Sequence, residues 1–547
     1  MGKSEKVFMQ RFRFRRTDRF PSFQSGARGD FSSTPPLQRS SPLAYPALCL
    51  RRHIATTRHA HGFTMIKKLT LALLALFGVL LLILVVRTLR FVSRQIAVPP
   101  AATVNFTLDS ALQRLSRAIQ FPTVSSPDPA QTGMAFDQFA KFLNEAFPRI
   151  AKQLHKETVG GHSLVYTWKG RDSALKPILL MAHMDVVPAS DQGWRYPPFS
   201  GALADGYVWG RGAMDDKAAL MAILEATELL LHDGFLPERT IYLAFGHDEE
   251  IGGHYGAAKI AELLRSGGVE LDFLLDEGMN ILRGVVPGIS APVALIGTAE
   301  KGYLSLRLSV KTPGGHSSIP PADNAIGIVS RALHRLETRP FPSRLSGPTR
   351  QMLEFLGPEM SWTQKLALGN LWLFDPLVRK QLARSPLVNA VIRTTLAPTI
   401  FQAGFTDNVL PPDATAVINL RLLPGDTIAS SVEHVRRVIN EAEVKITPLP
   451  APIEASGVSD INSRGFRIIE RTIRETFPPA LIAPALLVAA TDSRHYAGLT
   501  KNIFRFLPIL LGPDDTRRYH GNDERIATDD YERCIRFYAQ LIRNSQR

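Results

Sequence analysis

Cysteine is scarce in this chain, since Cys49 and Cys534 are the only two in 547 residues. Neither stands in a motif with metal-ligand spacing, so zinc fingers and paired-cysteine redox sites are excluded. A bridge between them would join the N-terminal segment to the far end of the chain, and we do not expect one. The scarcity fits an exported protein that needs no disulfide.

Two common catalytic motifs are also missing. No Gly-rich loop followed by Lys-Ser or Lys-Thr occurs, which argues against nucleotide binding by a phosphate-cradling loop. No G-x-S-x-G sequence occurs either, which argues against a serine hydrolase with a nucleophile elbow. The chemistry of the chain therefore has to come from other residue types.

Excess positive charge is concentrated at one end of the chain. Residues 1–64 hold twelve Lys or Arg against three Asp or Glu, so they supply +9 of the net charge of +14. The remainder carries only about +5, and the high isoelectric point is therefore no argument for nucleic-acid binding. We interpret residues 1–64 as a basic disordered tail or as an over-extended gene start, because Met65 opens a membrane-targeting sequence.

One long apolar run follows this tail. Residues 69–86 are 18 uncharged residues, which as a helix would span about 27 Å, enough for the hydrocarbon layer of a membrane. We predict a single-pass transmembrane or signal anchor over residues 66–90, with the rest of the chain on the outer side. Secretion after cleavage of a signal peptide is the alternative.

Several acidic and imidazole side chains follow apolar, strand-like runs. ILLMAH ends in His183, and Asp185 should face the same side because side chains two apart in a strand do so. TIYLAFGHDEE ends in Glu249 and Glu250, which point differently and need not share a role. Taken singly, each motif could be a solvated turn or a chance pair.

The joint occurrence of these motifs predicts a site for two divalent ions. Asp215 lies in GRGAMDDK, Asp276 and Glu277 lie in LLDEG, and His520 lies in YHGNDE. Two neighbouring cations require a shared carboxylate, with imidazole and further carboxylate around them. Asp185 would orient the His183 ring by accepting its second N–H.

From about Thr107 to its end, the chain resembles the aminoacylase/carboxypeptidase family of co-catalytic zinc hydrolases. Within that family it is most similar to the branch of carboxypeptidase S and the N-fatty-acyl-amino-acid synthase/hydrolase. The resemblance implies two zinc ions per subunit, with Asp215 as the bridging ligand. It assigns His183 and Glu277, or Asp276 in place of Glu277, to one ion, and Glu250 and His520 to the other. It also implies a cis peptide bond between Asp215 and Asp216.

The resemblance implies the remaining roles as well. Glu249 is the general base for a metal-bridging hydroxide, and Asp185 supports His183. His316 in PGGHSSIPP stabilises the oxyanion, in relatives usually from a partner subunit, whereas its sequence alone would suit an ordinary loop histidine. Asn408 and Arg494 bind the substrate, and Arg suits a carboxylate because its guanidinium pairs bidentately. An ion pair with Asp492 is the alternative for Arg494.

We predict an α/β fold with two domains, since the chain is too long for one ordinary core. A catalytic domain with a mixed sheet flanked by helices takes residues 105–299 and 446–547. An α/β lid or dimerisation domain is inserted at 300–445, where KGYLSLRLSVK and TAVINLRLLPGD alternate as half-exposed strands. Within it, a helical insertion at 345–403 is rich in Leu, Trp and Phe, which predicts lid core or dimer contact, or else contact with an acyl chain or lipid.

The predicted function is zinc-dependent hydrolysis of an amide bond, releasing an amino acid from a peptide C-terminus or from an N-acyl amino acid. Synthesis of N-fatty-acyl amino acids by the reverse reaction and an inactive membrane-tethered binding protein are the alternatives. The expected partners are the small substrate, a membrane through the N-terminal helix and a second copy through the lid, with no nucleic acid.

Overall fold

A computed structural model describes residues 52–102, 104–126 and 133–546 of the protein, with the backbone alone for 52–66. The chain divides into two compact units, Met1–Leu76 and Phe77–Arg547. Residues 1–51, which contain Cys49 and most of the predicted basic tail, lie outside the described residues.

The first helix, α1, runs from Arg52 to Arg90. Its segment Lys67–Arg90 has a mean hydropathy of 3.1, so by length and composition it could be a membrane anchor or a signal sequence. The helix begins earlier than predicted, because the backbone of residues 52–64 is helical. The assignment of residues 1–64 to a basic tail or an over-extended gene start stays a prediction.

The main sheet has ten strands and mixes parallel with antiparallel pairs, as the sequence predicted for the fold class. Its order is β1-β2-β6-β3-β7-β17-β9-β8-β18, and β16 pairs with β9. Numbered along the chain, its strands are β1 His155–Val159, β2 Ser163–Trp168, β3 Ile178–His183, β6 Ile241–Gly246, β7 Phe273–Asp276, β8 Ile281–Leu282, β9 Val293–Glu300, β16 Leu481–Leu487, β17 Ile503–Arg505 and β18 Leu510–Leu511. A separate small sheet consists of β4 Leu203–Ala204, β5 Tyr207–Trp209 and β19 Arg525–Ala527.

Helices from both ends of the sequence accompany the main sheet. They are α2 Leu108–Ile119, α3 Gly133–Ala146, α4 Pro148–Gln153, α5 Lys217–His232, α6 Ala257–Ser266, α13 Arg464–Thr476 and α14 Thr528–Asn544. The largest apolar core joins the buried sides of α5 and α14 to strands β3, β6 and β7. All six residues of β3 and all four of β7 are buried, because this part of the sheet is covered on both faces.

A second sheet of four strands is antiparallel, in the order β12-β14-β10-β15. Its strands are β10 Gly302–Lys311, β12 Thr395–Ala403, β14 Asp413–Leu422 and β15 Lys445–Pro448, and a separate pair is β11 Gly315–His316 with β13 Val409–Leu410. Two helices, α7 Ala325–Thr338 and α12 Ile428–Ile439, share an apolar core with this sheet. Since β15 belongs to this sheet, the sheet continues slightly beyond the predicted boundary at 445.

Four helices precede β12 in the predicted helical insertion. They are α8 Gly347–Leu356, α9 Trp362–Gly369, α10 Leu371–Leu382 and α11 Pro386–Ile392. The helical part therefore ends at Ile392, and the prediction of helix up to residue 403 is wrong, because Thr395–Ala403 is the edge strand of the second sheet.

Two neighbouring segments connect the two sheets. Tyr303 and Ile453 exchange both backbone hydrogen bonds, with N···O distances of 2.8 Å in each direction. The Glu300 N–H donates to Ser456 Oγ at 2.9 Å, and the Ser456 N–H donates to the Glu300 carbonyl oxygen at 3.1 Å. The chain thus enters and leaves the second sheet through one hydrogen-bonded double connection.

Candidate active site

Three parallel strands bring the candidate site together. In the main sheet β3 lies between β6 and β7 and runs parallel to both, so the carboxyl ends of all three lie at one edge. His183 is the last residue of β3, Glu249 and Glu250 begin a short 3-10 turn just after β6, and Glu277 follows β7 directly. Asp215 precedes α5, and His520 lies in the loop before β19.

Asp215 is the centre of the cluster. One carboxylate oxygen, Oδ1, lies 2.9 Å from His183 Nε2, and the other, Oδ2, lies 3.2 Å from His520 Nε2. The same His520 nitrogen lies 3.1 Å from Glu250 Oε2. Two groups of ligand atoms, each within 4.8 Å, share Asp215: one adds His183 and Glu277, and the other adds Glu250 and His520.

Asp185 lies directly behind this cluster and is fully buried. His183 Nδ1, the ring nitrogen turned away from Asp215, lies 3.0 Å from the backbone carbonyl oxygen of Asp185 and 3.3 Å from its carboxylate oxygen Oδ1. The Asp185 carboxylate also accepts the backbone N–H groups of Glu249 at 3.1 Å and of Glu250 at 3.0 Å. One carboxylate therefore orients the imidazole on β3 and holds the turn after β6.

Asp276 and Glu277 point to different places. Asp276 is buried and accepts two backbone N–H groups, from Glu277 and from Ser493, each at 3.0 Å. Glu277, in contrast, belongs to the ligand group around Asp215. The geometry therefore favours Glu277 over Asp276 as the residue available to an ion.

The charge of the cluster fits divalent cations. Burial raises the pKa of Glu277 well above its usual range, and the neighbouring Asp215 and Asp216 raise it further. Hydrogen bonds to Asp215 and Glu250 raise the pKa of His520 to about 10. Glu250 Oε1 is buried and has no hydrogen-bond partner among the described residues. Crowded carboxylates with an orphaned oxygen and two imidazoles are a donor set that suits divalent metal ions.

Glu249 stands next to the two ligand groups without belonging to either. Burial raises its pKa well above the usual value; His183 opposes this rise, and Asp492, Glu277 and Glu250 add to it. A carboxyl group with a raised pKa beside a cation site is suited to accepting and returning a proton.

The sequence did not reveal Glu524, which is fully buried below the Asp215 loop. Its Oε1 accepts the backbone N–H groups of Met214 and Asp215 at 2.8 and 3.1 Å, and its Oε2 accepts a hydrogen bond from Arg211 at 2.6 Å. The only available signal was its position four residues after His520. The peptide bond between Asp215 and Asp216 is cis, as the resemblance implied.

The three remaining candidate residues lie outside the two ligand groups. His316 and Asn408 are distant in sequence but adjacent in space, because β11 pairs with β13 and the Ser317 N–H donates to the Asn408 carbonyl oxygen. Both are exposed. Arg494 donates to the backbone carbonyl oxygens of Thr491 and Gly252, at 3.0 and 2.6 Å, so its guanidinium is held beside the turn that carries Glu249.

Comparison with known proteins decides the family. The description "Peptidase family M20/M25/M40" matches residues 179–544, which hold every candidate residue. The chain belongs to this family. An M20 member from Dictyostelium discoideum, a probable carboxypeptidase S-like protein, is 44% identical over 484 residues, covering 86% of this chain and 93% of its own.

Two other M20 relatives extend the comparison. The N-fatty-acyl-amino acid synthase/hydrolase of Xenopus tropicalis is 42% identical over 441 residues, covering 79% of this chain and 85% of its own. The crystal structure of human carnosine dipeptidase 1 superposes with a TM-score of 0.56 at 15% sequence identity. The superposition covers 82% of this chain and 99% of the dipeptidase chain, and it supports the fold alone. The protein is therefore an M20 hydrolase, and the two ligand groups that share Asp215 are its candidate metal site.

Proposed function

We propose that the protein is a zinc-dependent amide hydrolase that releases an amino acid from a peptide C-terminus or from an N-acyl amino acid. The observation that carries the proposal is the position of Asp215. Its two carboxylate oxygens face different imidazoles, and each faces one of two ligand groups. A carboxylate shared in this way is what a pair of divalent ions requires.

The ligand groups define which residues would hold the two ions. His183, Asp215 and Glu277 would hold one, and Asp215, Glu250 and His520 would hold the other. Two zinc ions, when bound, would lower the pKa of a water molecule and polarise the substrate carbonyl.

The protein's own residues move the proton. Glu249 accepts it from the attacking water and returns it to the departing nitrogen, because its carboxyl group follows the carboxyl end of β6 directly before the candidate ligand Glu250 and belongs to neither ligand group. Asp185 holds the backbone of Glu249 and the ring of His183 at the same time, which fixes the base relative to the ligands.

Substrate binding is assigned to Arg494, near Glu249, and to His316 and Asn408, at the separate pair of β11 and β13. Arg494, held beside the turn of Glu249, would pair with the carboxylate of the amino-acid product. His316 would stabilise the oxyanion and Asn408 would bind the substrate backbone, because the paired strands β11 and β13 present the two residues together. His316 would reach a site by closure of the second sheet, or from a partner subunit in a homodimer.

Synthesis of N-acyl amino acids is the second candidate function, and the name of the Xenopus relative favours it. Condensation would use the same residues in reverse: Glu249 would take a proton from the attacking amine nitrogen and give it to the hydroxide that leaves the carboxyl carbon as water. An inactive binding protein is disfavoured, because the candidate base remains beside a full set of candidate ligands.

For location, we propose that α1 anchors the enzyme with its catalytic part on the outer side of the membrane.

A substrate panel with metal control tests the proposal. The full chain is assayed on N-acyl amino acids of different acyl length and on dipeptides, after chelation and after return of zinc. Glu249→Gln should lower turnover by about 10²–10⁴-fold, because general acid–base catalysis contributes that much. Its bound zinc, measured by atomic absorption, should be unchanged.

Glu145→Gln, at an exposed position of α3, is the matched control and should retain full activity. Unchanged turnover in Glu249→Gln would show that Glu249 is not the general base. Activity that survives complete removal of metal would contradict the proposal that the reaction depends on two zinc ions. Accumulation of N-acyl amino acid from fatty acid and amino acid, with no hydrolysis, would favour the synthase.

A further inference from the structure

The last turns of α1 are hydrogen-bonded to the group of helices that precedes β12. The Asn370 side-chain amide donates to the Leu84 carbonyl oxygen and to Thr88 Oγ1, each at 3.1 Å. Asn370, which lies between α9 and α10, is fully buried at this contact, although nearly all other residues of the two helices are partly or fully exposed. A buried side-chain amide that hydrogen-bonds to the backbone of another helix holds the two elements in a fixed relative position.

A second contact follows directly after α1. The ring of Phe91 covers two glycines, one before α9 and one at its end. A Cβ atom at Gly357 would lie 2.6 Å from Phe91 Cε1, and one at Gly369 would lie 3.3 Å from Phe91 Cδ1. Arg94 Nη2 lies 3.3 Å from Glu354 Oε2 on α8. The chain leaving α1 is therefore held along the same helices.

Helices α9 to α11 leave large apolar side chains in solvent. Trp362 and Trp372 are 50% and 55% exposed, and Leu377 and Leu387 are 62% and 55% exposed. Helix α9 buries no side chain, and α10 buries only Val378. Exposed apolar groups gathered on neighbouring helices mark an interaction surface. We call Trp362, Trp372, Leu373, Leu377 and Leu387 the insertion patch.

Basic side chains accompany the insertion patch. Residues 361–392 contain Lys365, Arg379, Lys380 and Arg384 but only one acid, Asp375, which pairs with Arg379 at 2.6 Å. Arg87 and Arg90, in the last turn of α1, are exposed as well. Tryptophan and basic residues next to apolar groups are the composition of protein surfaces at the membrane interface.

We propose that α9, α10 and α11 lie on the surface of the bilayer that α1 enters, with the insertion patch among the lipids. The contact of Asn370 with Leu84 and Thr88 carries the proposal. These two residues belong to the end of the apolar segment Lys67–Arg90, and Trp372 is only two residues from Asn370. Continuity with α1 and the basic residues identify the occupant as an anionic phospholipid bilayer. The proposal requires that α1 is kept as an anchor.

Tryptophan quenching tests the proposal on the full chain. The protein is reconstituted in vesicles of phosphatidylcholine and phosphatidylglycerol, with and without bromine atoms on the acyl chains. Bromine quenches only tryptophans that contact lipid, so fluorescence should fall in the brominated vesicles. Trp362→Phe together with Trp372→Phe should abolish this fall, whereas Trp168→Phe, which replaces a buried ring of β2, should leave it unchanged.

Other outcomes decide against a bilayer. Equal fluorescence in both kinds of vesicle would overturn the proposal, and so would a fall that persists in the double variant. Burial of Trp362 and Trp372 only in a dimer, seen as concentration-dependent protection from aqueous iodide without bromine quenching, would assign the patch to a second copy. Hydrolysis of a soluble short-chain substrate by each variant verifies folding, and quenching itself does not depend on the proposed activity.

Discussion

Asp185 contacts several residues of the site although it is not itself a candidate ligand. Its two oxygens serve the His183 ring and the backbone of Glu249 and Glu250. Because it is fully buried, no water can replace these bonds at low cost. Metal affinity and placement of the base should therefore depend on the same carboxylate.

Asp185→Asn should weaken metal binding by about 10–100-fold, since the amide supports the imidazole less well than a carboxylate does. The measurement is a competition titration of zinc against a chelating dye. Asp172→Asn, at an exposed position, is the control and should bind zinc normally. Normal zinc affinity in Asp185→Asn would contradict the role assigned to Asp185.

At the scale of single residues, the sequence predicted what depends on local geometry. His183 and Asp185 were paired because a strand repeats every two residues, and their side chains do meet. Glu524 could not be predicted, because its value lies in contacts with Arg211 and the Asp215 loop across the fold. Nothing near position 524 signals those contacts.

At the scale of elements, predicted strands with strong patterns agree well with the structure. The run ILLMAH is β3 without any change of bounds, and KGYLSLRLSVK contains β10. β12 was missed because its residues were assigned to the helical insertion at 345–403, and it contains Pro398, a residue type that is rare inside strands. It is tolerated there because β12 is an edge strand, pairs only with β14, and has an irregular register between Pro398 and Ile400.

Helix α13 contains a carboxyl group that should make stability depend on pH. Burial raises the pKa of Glu470 to about 7, although Arg467 and Arg474 oppose the rise. The folded state then holds a proton that the unfolded state releases near its ordinary pKa. Stability conferred by the protonated group is lost as pH rises from about 4.5 to 7.

Glu470→Gln should remove this loss. Relative to the variant, the parent protein should lose roughly 1–3 kcal/mol of unfolding free energy between pH 5 and pH 8, because one pKa unit corresponds to about 1.4 kcal/mol. Urea unfolding at the two pH values measures the difference. Glu443→Gln, at an exposed position, should follow the parent at both. A constant difference between parent and Glu470→Gln would contradict the assignment.

At the scale of the whole molecule, residues far apart in sequence should be joined by the bound ions. The ligand groups combine His183 with Glu277, and Glu250 with His520, around Asp215. Removal of metal should lower Tm, because a ligand that binds only the folded state at 100 times its Kd adds about 2.7 kcal/mol. Calorimetry before and after chelation, and after return of zinc, measures the change. An unchanged Tm would argue against tight binding at this cluster.

His316 tests whether the strand pair β11–β13, beside the second sheet, takes part in catalysis. His316→Ala should lower kcat by about 10²–10³-fold, the usual effect of losing one oxyanion donor, while zinc content stays the same. His334→Ala, an exposed histidine of α7 beside the same sheet, is the control. Full activity of His316→Ala would show that His316 is an ordinary loop histidine with no role in catalysis.

The strand order of the main sheet also bears on how the protein is made. β17 lies between β7 and β9, although about 200 residues separate it from them in the sequence. When synthesis has reached β9, the chain still lacks β17, the strand that pairs with both β7 and β9. The main sheet is therefore expected to remain incomplete while the second sheet, β12-β14-β10-β15, completes its pairing. Biosynthesis thus delivers the inserted part first and closes the enzyme around it last.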